Sequence, residues 1–266
     1  MKGILHEELS RAFRNRRLWI IILLTVASMA IGIYRRGLIF NDQRIHPVNL
    51  LMNISFYTPF SLIAALLATL PFADSFFDDR NQGFIRFIAL RVSYRKYLAA
   101  KAIAVGLAGG WAISFSIILM LVLVIVTGPI DFSAQGYISN STLVSGEPWG
   151  PLGWLYTVNP FSYFAYLLAT AFSFGFVYAL FGLAVSMIIN NRYVVLAAPL
   201  VFFQLLTYLE ARSLHILPAW NPAYTLFPFD AFEGFTLTHQ LIQYGLLMAV
   251  ACTILALFAR KSRILQ

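Results

Sequence analysis

The sequence predicts an all-α integral membrane protein with six transmembrane helices. An N-terminal interfacial amphipathic helix precedes the spans, a short cytoplasmic helix joins spans 2 and 3, and a re-entrant outer segment precedes span 6. Three observations lead there. The 266 residues are 60% hydrophobic and only 11% charged, with a mean hydropathy of +0.76, against roughly half apolar and a quarter charged in soluble domains. The charges cluster, leaving long uncharged windows between them. The basic residues fall almost entirely on one side of those windows.

The uncharged windows are 18–34, 45–73, 102–130, 148–191, 193–209 and 234–259. A bilayer core of about 30 Å takes roughly 17–25 helical residues, so each holds one span. The expected spans are 18–34, 55–73, 102–127, 161–189, 193–209 and 241–259, all within a single transmembrane domain covering 1–266. The third is the most apolar. Between Leu107 and Val126 it carries twelve Leu, Ile, Val or Phe residues, an insertion gain of about 4–7 kcal/mol at 0.3–0.6 each. The fourth opens on Asn159-Pro160, a helix-starting pair. The fifth carries Pro199 and Gln204 and is expected to be kinked or tilted. The first is retained, because no small-x-small cleavage pattern follows its apolar run.

Orientation follows from the cations. With the N-terminus inside, the inner face holds Lys2, Arg11, Arg14, Arg16, Arg17, Arg80, Arg86, Arg91, Arg95, Lys96, Lys101, Arg192, Arg260, Lys261 and Arg263. The outer face holds Arg35, Arg36, Arg44 and Arg212, a split of fifteen to four. Both termini are therefore expected in the cytoplasm, with the chain multi-pass in the plasma membrane. The net charge of +8 is accounted for by topology and anionic lipid, and nucleic acid is not an expected partner.

Residues 2–17 form a helix on the membrane surface. Leu5, Leu9 and Phe13 recur at i, i+4 and i+8 on one face, while Glu8, Arg11 and Arg14 occupy others. A plain basic topology anchor is the alternative reading. Trp19 and Tyr34 bracket the first span as interfacial aromatics. Outside, 210–240 is dense in Pro and aromatic residues and includes Trp220, Asn221, Pro222 and Tyr224. That composition is wrong for a solvated loop. It suits short helices dipping into the outer leaflet under protein cover, or alternatively an aromatic belt loop.

Catalytic and metal chemistry is not expected from the residues, and an intramembrane enzyme is the least favoured reading. No Asp, Glu, His, Lys or Arg lies in the middle of a span, where proton- and ion-coupled transporters keep one. His6, His46, His215 and His239 are scattered, so no metal cluster is expected. His6-Glu7-Glu8-Leu9-Ser10 begins like a metalloprotease motif but ends in Ser. There is no serine-hydrolase elbow. There is no phosphate-cradling P-loop either, so the chain binds no cofactor, and any ATP and its Mg belong to a partner. Cys252 reads as a small buried hydrophobe.

The informative segment joins spans 2 and 3 and contains Asp78, Asp79, Arg80, Gly83, Phe84, Arg86, Phe87 and Ile88, then Ser93, Tyr97 and Lys101. An acidic-basic cluster, a Gly, a short amphipathic helix at 84–90 and a capping Ser follow one another. Phe84, Phe87 and Ile88 can lie in the bilayer interface or dock into a protein groove, with the flanking charges setting register.

This segment resembles the signature of type-2 ATP-binding-cassette (ABC) exporter permeases, an acidic-Arg-x-x-Gly-Thr run followed by Pro-x-Ser-Arg, a Tyr and a Lys. Asp79, Arg80 and Gly83 match its first part; Ser93, Tyr97 and Lys101 match its second. Phe84 stands where Thr is usual, and Arg91 where Pro is usual. The six spans, inner termini and outer Asn-Pro segment are also similar to that family. The resemblance implies the membrane-spanning subunit of an ABC exporter without a catalytic site of its own. Its implied partners are separate ABC-type ATPase subunits and a second permease, a copy or a sister chain. The 84–90 helix would be the coupling helix, oriented by Asp78, Asp79, Arg80 and Arg86, and Trp220, Asn221, Pro222 and Tyr224 would gate the exit. Phe56, Tyr57, Phe115, Phe172, Phe174, Phe176, Tyr178, Phe202 and Phe203 are available to wall a cavity for a hydrophobic or amphipathic cargo, a drug-like molecule, peptide or lipid-like compound. The alternative is a membrane anchor or regulatory subunit that couples to an ATPase and moves nothing.

Overall fold

The computed structural model describes residues 2–37, 44–85, 92–128, 130–133, 137–139, 142–144, 148, 150–212, 220–231 and 234–261. Apart from a two-stranded ribbon the described chain is helical. The elements are α1 (Lys2–Phe13), α2 (Arg17–Gly37), α3 (Pro47–Tyr57), α4 (Phe60–Thr69), α5 (Ser75–Asn81), α6 (Tyr94–Thr127), β1 (Tyr137–Ser139), β2 (Thr142–Val144), α7 (Trp154–Val158), α8 (Pro160–Ile188), α9 (Arg192–Arg212), α10 (Ala223–Leu226), a 3₁₀ turn at Pro228–Asp230 and α11 (Leu237–Lys261). Five helices, α2, α6, α8, α9 and α11, are long and apolar enough to cross a membrane. The chain is a predominantly helical membrane protein.

Five of the six expected spans coincide with these helices. Pro199 lies inside α9 without ending it. Around the expected span at 55–73 the helix is broken: α3 and α4 meet at 93° and reach spanning length only as a bent pair. The cause is local. Thr58 precedes Pro59, whose ring disfavours a helical neighbour, and Thr58 is extended at φ −85°, ψ 145°. Its hydroxyl donates to the Ser55 carbonyl at 3.1 Å, closing α3. The helix also starts earlier than expected, because His46 Nδ1 accepts from the Val48 amide at 3.3 Å and Pro47 occupies the first turn.

α6 and α8 form the central pair, and α1, α2 and α3 pack along α6 while α4, α9 and α11 pack along α8. Their crossing is set by glycine. A Cβ at Gly175 would lie 2.3 Å from the Gly109 carbonyl oxygen, so only hydrogen fits, and the two backbones touch. Burial falls away from this pair: 72% of the spanning window of α8 is buried, against 11% for α11. Cys252 is exposed on α11, so the expectation of a buried thiol is corrected.

Three of the nine expected cavity aromatics, Phe174, Tyr178 and Phe203, are core, five are half-buried, and Phe56 is exposed. Phe174 stacks on Tyr178 at 4.3 Å, and both meet Phe203 edge-on. Phe172 and Phe176 fill the space left by Gly110 and Gly106. Of that group, Tyr178 and Phe202 line the cavity of about 270 Å³ described below, and Phe115 lines a small one of about 140 Å³ beside α1.

Candidate functional site

At one end of the bundle, α1, α5 and the beginnings of α2, α6 and α9 bring Glu8, Arg11, Arg17, Asp74, Asp78, Asp79, Lys101 and Arg192 together. α5 follows α4 through a tight turn, and its sequence Ser-Phe-Phe-Asp-Asp-Arg-Asn spaces the acids so that they point in different directions. Asp74, just before it, accepts from Arg17 at 2.6 Å and from Arg192 Nε at 2.6 Å, tying the starts of α2 and α9 together. Asn15 supports this joint, donating to the Pro71 carbonyl at 2.7 Å. Asp78 stays partly exposed, 3.9 Å from Arg17. Burial and the nearby Asp74 push its carboxyl up, against the pull of Arg17.

Asp79 turns inward. It is ion-paired to Lys101, accepts from Arg11 at 2.8 Å and from the Tyr97 hydroxyl at 2.5 Å. Lys101 Nζ also stands 3.2 Å from Glu8 Oε2, and Arg11 reaches Glu8 at 3.1 Å. Two acids and two bases therefore close a ring that joins α1, α5 and α6. Burial alone would push the Asp79 carboxyl up. The Lys101 charge, with hydrogen bonds from Arg11, Lys101 and Tyr97, outweighs it and holds the carboxyl below its usual range. A pair this deep is held by mutual compensation, since either charge left alone would cost about 3–5 kcal/mol.

The sequence-predicted residues divide accordingly. Asp79 was expected to face a partner and is instead buried among its own chain's cations. Arg80 turns to the α8–α9 junction, donating to Asn190 at 2.8 Å. Glu8, expected on the polar face of α1, is buried with Ala12, while Leu5 and Leu9 are half-buried and Arg14 is exposed. Phe13 meets Trp111 edge-on at 6.3 Å. Gly83 ends α5 at φ +69°, the left-handed conformation that closes a helix at low cost to glycine alone. The backbone then resumes as helix at Phe84, which is 47% exposed beside the Arg11 guanidinium. Arg86, Phe87 and Ile88 lie outside the described residues. Between α1 and this connection runs an open cavity of about 900 Å³, with Ile4, Glu7 and Arg11 on one wall and Gln82, Phe84 and Val92 on the other.

The opposite end carries the expected outer segment. Asn221 starts α10 with its side-chain oxygen accepting from the Ala223 amide at 2.9 Å, and its Nδ2 donates to Glu210 at 2.9 Å. Trp220 is exposed, Pro222 buried, and Tyr224 packs on Phe235. Leu226, Phe227 and Phe229 are buried, with Phe227 against Phe60 and Phe229 against Phe56. The segment is thus folded into the body of the protein. Beneath it, Tyr166 donates to Gln240 at 2.9 Å, and the Tyr244 hydroxyl stands 2.8 Å from the Thr225 carbonyl and 3.0 Å from that of Thr170. Sequence reasoning missed this polar layer. The signal was the polar run Gln240, Gln243 and Tyr244 within one turn at the start of α11.

No family model matches the chain, and no curated protein matches it. Among the described residues no group of His, Cys, Asp and Glu is arranged to hold a metal ion.

Proposed function

We propose that this chain is the permease subunit of an ABC exporter, moving a hydrophobic or amphipathic cargo outward. A separate ATPase, which carries the ATP and Mg, docks on the 78–91 connection, and a second permease completes the pathway. The basic end is cytoplasmic, with both termini there and the plasma membrane as the site of action, in accord with the fifteen-to-four split of cations. Trp220, Asn221, Pro222 and Tyr224 close the outer end.

The observation that carries this reading is the linkage of three signature residues. Asp79, Tyr97 and Lys101 form one buried hydrogen-bonded cluster that also grips α1 through Arg11 and Glu8. A push on the connection is therefore delivered to α5, α6 and α1 together instead of being lost in a loose loop. Nucleotide-driven closure of the ATPase then shifts α6 against α8 and changes which side of the membrane is open. Phe84, exposed on the wall of the 900 Å³ cavity, supplies an apolar contact for the docked subunit.

The test is purification of the tagged chain from its native membrane. An ATP-hydrolysing subunit is expected to accompany it, and Phe87→Asp is expected to release that subunit while the chain still inserts. A chain that purifies alone, with no ATPase activity, overturns the exporter reading in favour of a membrane anchor.

A further inference from the structure

A cavity of about 270 Å³ lies between α8, α9 and α11, beneath the outer segment. Its walls include Phe181 from α8, Phe202 and Leu206 from α9, and Leu247 and Val250 from α11. α9 and α11 both pack along α8 and are the two least buried of the spanning helices, so a ligand reaches the space sideways from the bilayer. At the ~30 Å³ that a water molecule occupies, it has room for on the order of ten heavy atoms. That is one ring with a short polar group, near the lower end of small-molecule pockets.

Among the described residues no charged side chain lines the cavity. A charged ligand would lose its water there and meet no counter-charge, so an uncharged one is selected. The rings of Phe181 and Phe202, with centroids 5.1 Å apart, present aromatic surface to the space. The polar side chains of the wall are neutral. Tyr244 is committed to the Thr225 carbonyl at 2.8 Å. Gln243 already has a partner within the chain, yet a side-chain amide offers two donors and two acceptor lone pairs, enough to take a ligand group as well. Tyr178 differs from both. It lines the cavity at 3% exposure, with its ring held by Phe174 and Phe203, and its hydroxyl has no hydrogen-bond partner among the described residues. A buried hydroxyl without a partner carries a desolvation penalty, which an acceptor on a ligand removes.

We infer that this cavity binds a small uncharged aromatic compound that carries a hydrogen-bond acceptor, an aryl carbonyl being the simplest. The ring packs on Phe181 and Phe202, the acceptor takes the Tyr178 hydroxyl hydrogen, and Gln243 is at hand for a second polar group. As a cargo site the assignment rests on the exporter reading; as a binding site it does not.

The test uses the purified chain alone in phosphatidylcholine nanodiscs with benzophenone, an uncharged photoreactive diaryl ketone. One ring fills the space and the other reaches the opening between α9 and α11. Labelling is expected to saturate and to map to the cavity residues of α9 and α11, near Leu206 and Leu247. The trimethylammonium and carboxylate derivatives of benzophenone, at equal bilayer concentration, should label those residues roughly tenfold less or weaker still. Tyr178→Phe keeps the ring and removes the hydroxyl. It should raise the half-saturating benzophenone dose about threefold to tenfold, with thermal stability retained. Competition by diphenylmethane, which has no carbonyl, should stay within about twofold of the parent in that variant. Leu247→Trp, which fills the cavity, should abolish labelling. Labelling that fails to saturate against the excess of lipid chains assigns the space to acyl tails and overturns the proposal. Mapping elsewhere, equal labelling by a charged derivative, or an unchanged dose in Tyr178→Phe also overturns it. A chain that labels as expected but binds no ATPase keeps this site and loses the exporter reading; the reverse pair of results does the opposite.

Discussion

Lys101 and Asp79 form an ion pair sealed from solvent on both sides, at 0% and 1% exposure. They stand 22 residues apart on α5 and α6, and α1 closes over them with Glu8 and Arg11. Removing one charge strands the others. Lys101→Met is expected to destabilise the chain by about 3–5 kcal/mol. In Lys101→Met/Asp79→Leu the loss should be smaller than the sum of the single changes. Denaturant melts of the four proteins in one detergent check this, and additive losses would refute the coupling.

The same ring predicts an acid-sensitive α1. The Asp79 carboxyl titrates below its unfolded value, so the stability it contributes is present above pH 3.8, the unfolded value, and is lost as pH falls through the folded one. Amide exchange in α1 should therefore stay slow from neutral pH down to about pH 4 and quicken below it. Asp79→Asn should show fast exchange already at pH 7.

Asp230 has the opposite sign. Burial holds its carboxyl well above the ordinary range, so the stability of this group is full below its unfolded pKa of 3.8 and is lost as pH rises through the folded one. Asp230→Asn mimics the protonated form. It should raise the melting temperature at pH 8 and leave it nearly unchanged at pH 4. A variant less stable than the parent at pH 8 would mean that the carboxylate is held by a cation.

The α6–α8 crossing leaves no room for a methyl group. Gly175→Ala places its Cβ 2.3 Å from the Gly109 carbonyl oxygen, a backbone atom that cannot swing away. A loss of about 1–3 kcal/mol is expected from such overpacking. Gly245→Ala, with open space around it on α11, should be neutral or slightly stabilising, by at most ~1 kcal/mol. Paired thermal melts separate the two.

Much of the helical layout was legible because insertion is a local property. An uncharged apolar window of about 17 residues or more is long enough to span whatever its neighbours do. The bend at Thr58-Pro59 was readable in the same way, since a residue before proline leaves the helical region for reasons confined to two residues, yet the uncharged run around it masked the break. Asp79 and Glu8 are different. Each sits in a stretch that scans as a solvated polar face, and sequence spacing assigned both to surfaces.

What decided their burial came from elsewhere in the chain. A carboxylate is driven outward by desolvation unless a cation meets it, and the cation for Asp79 arrives partly from Arg11, 68 residues away. The same holds at the other end, where Asn221 donates to Glu210, a residue of the preceding helix 11 positions earlier. Composition and window length determined by themselves that this is a helical membrane protein. Which charges became internal joints, which aromatics became core and where a cavity was left depended on side chains brought together from distant segments, and only the tertiary structure decided them.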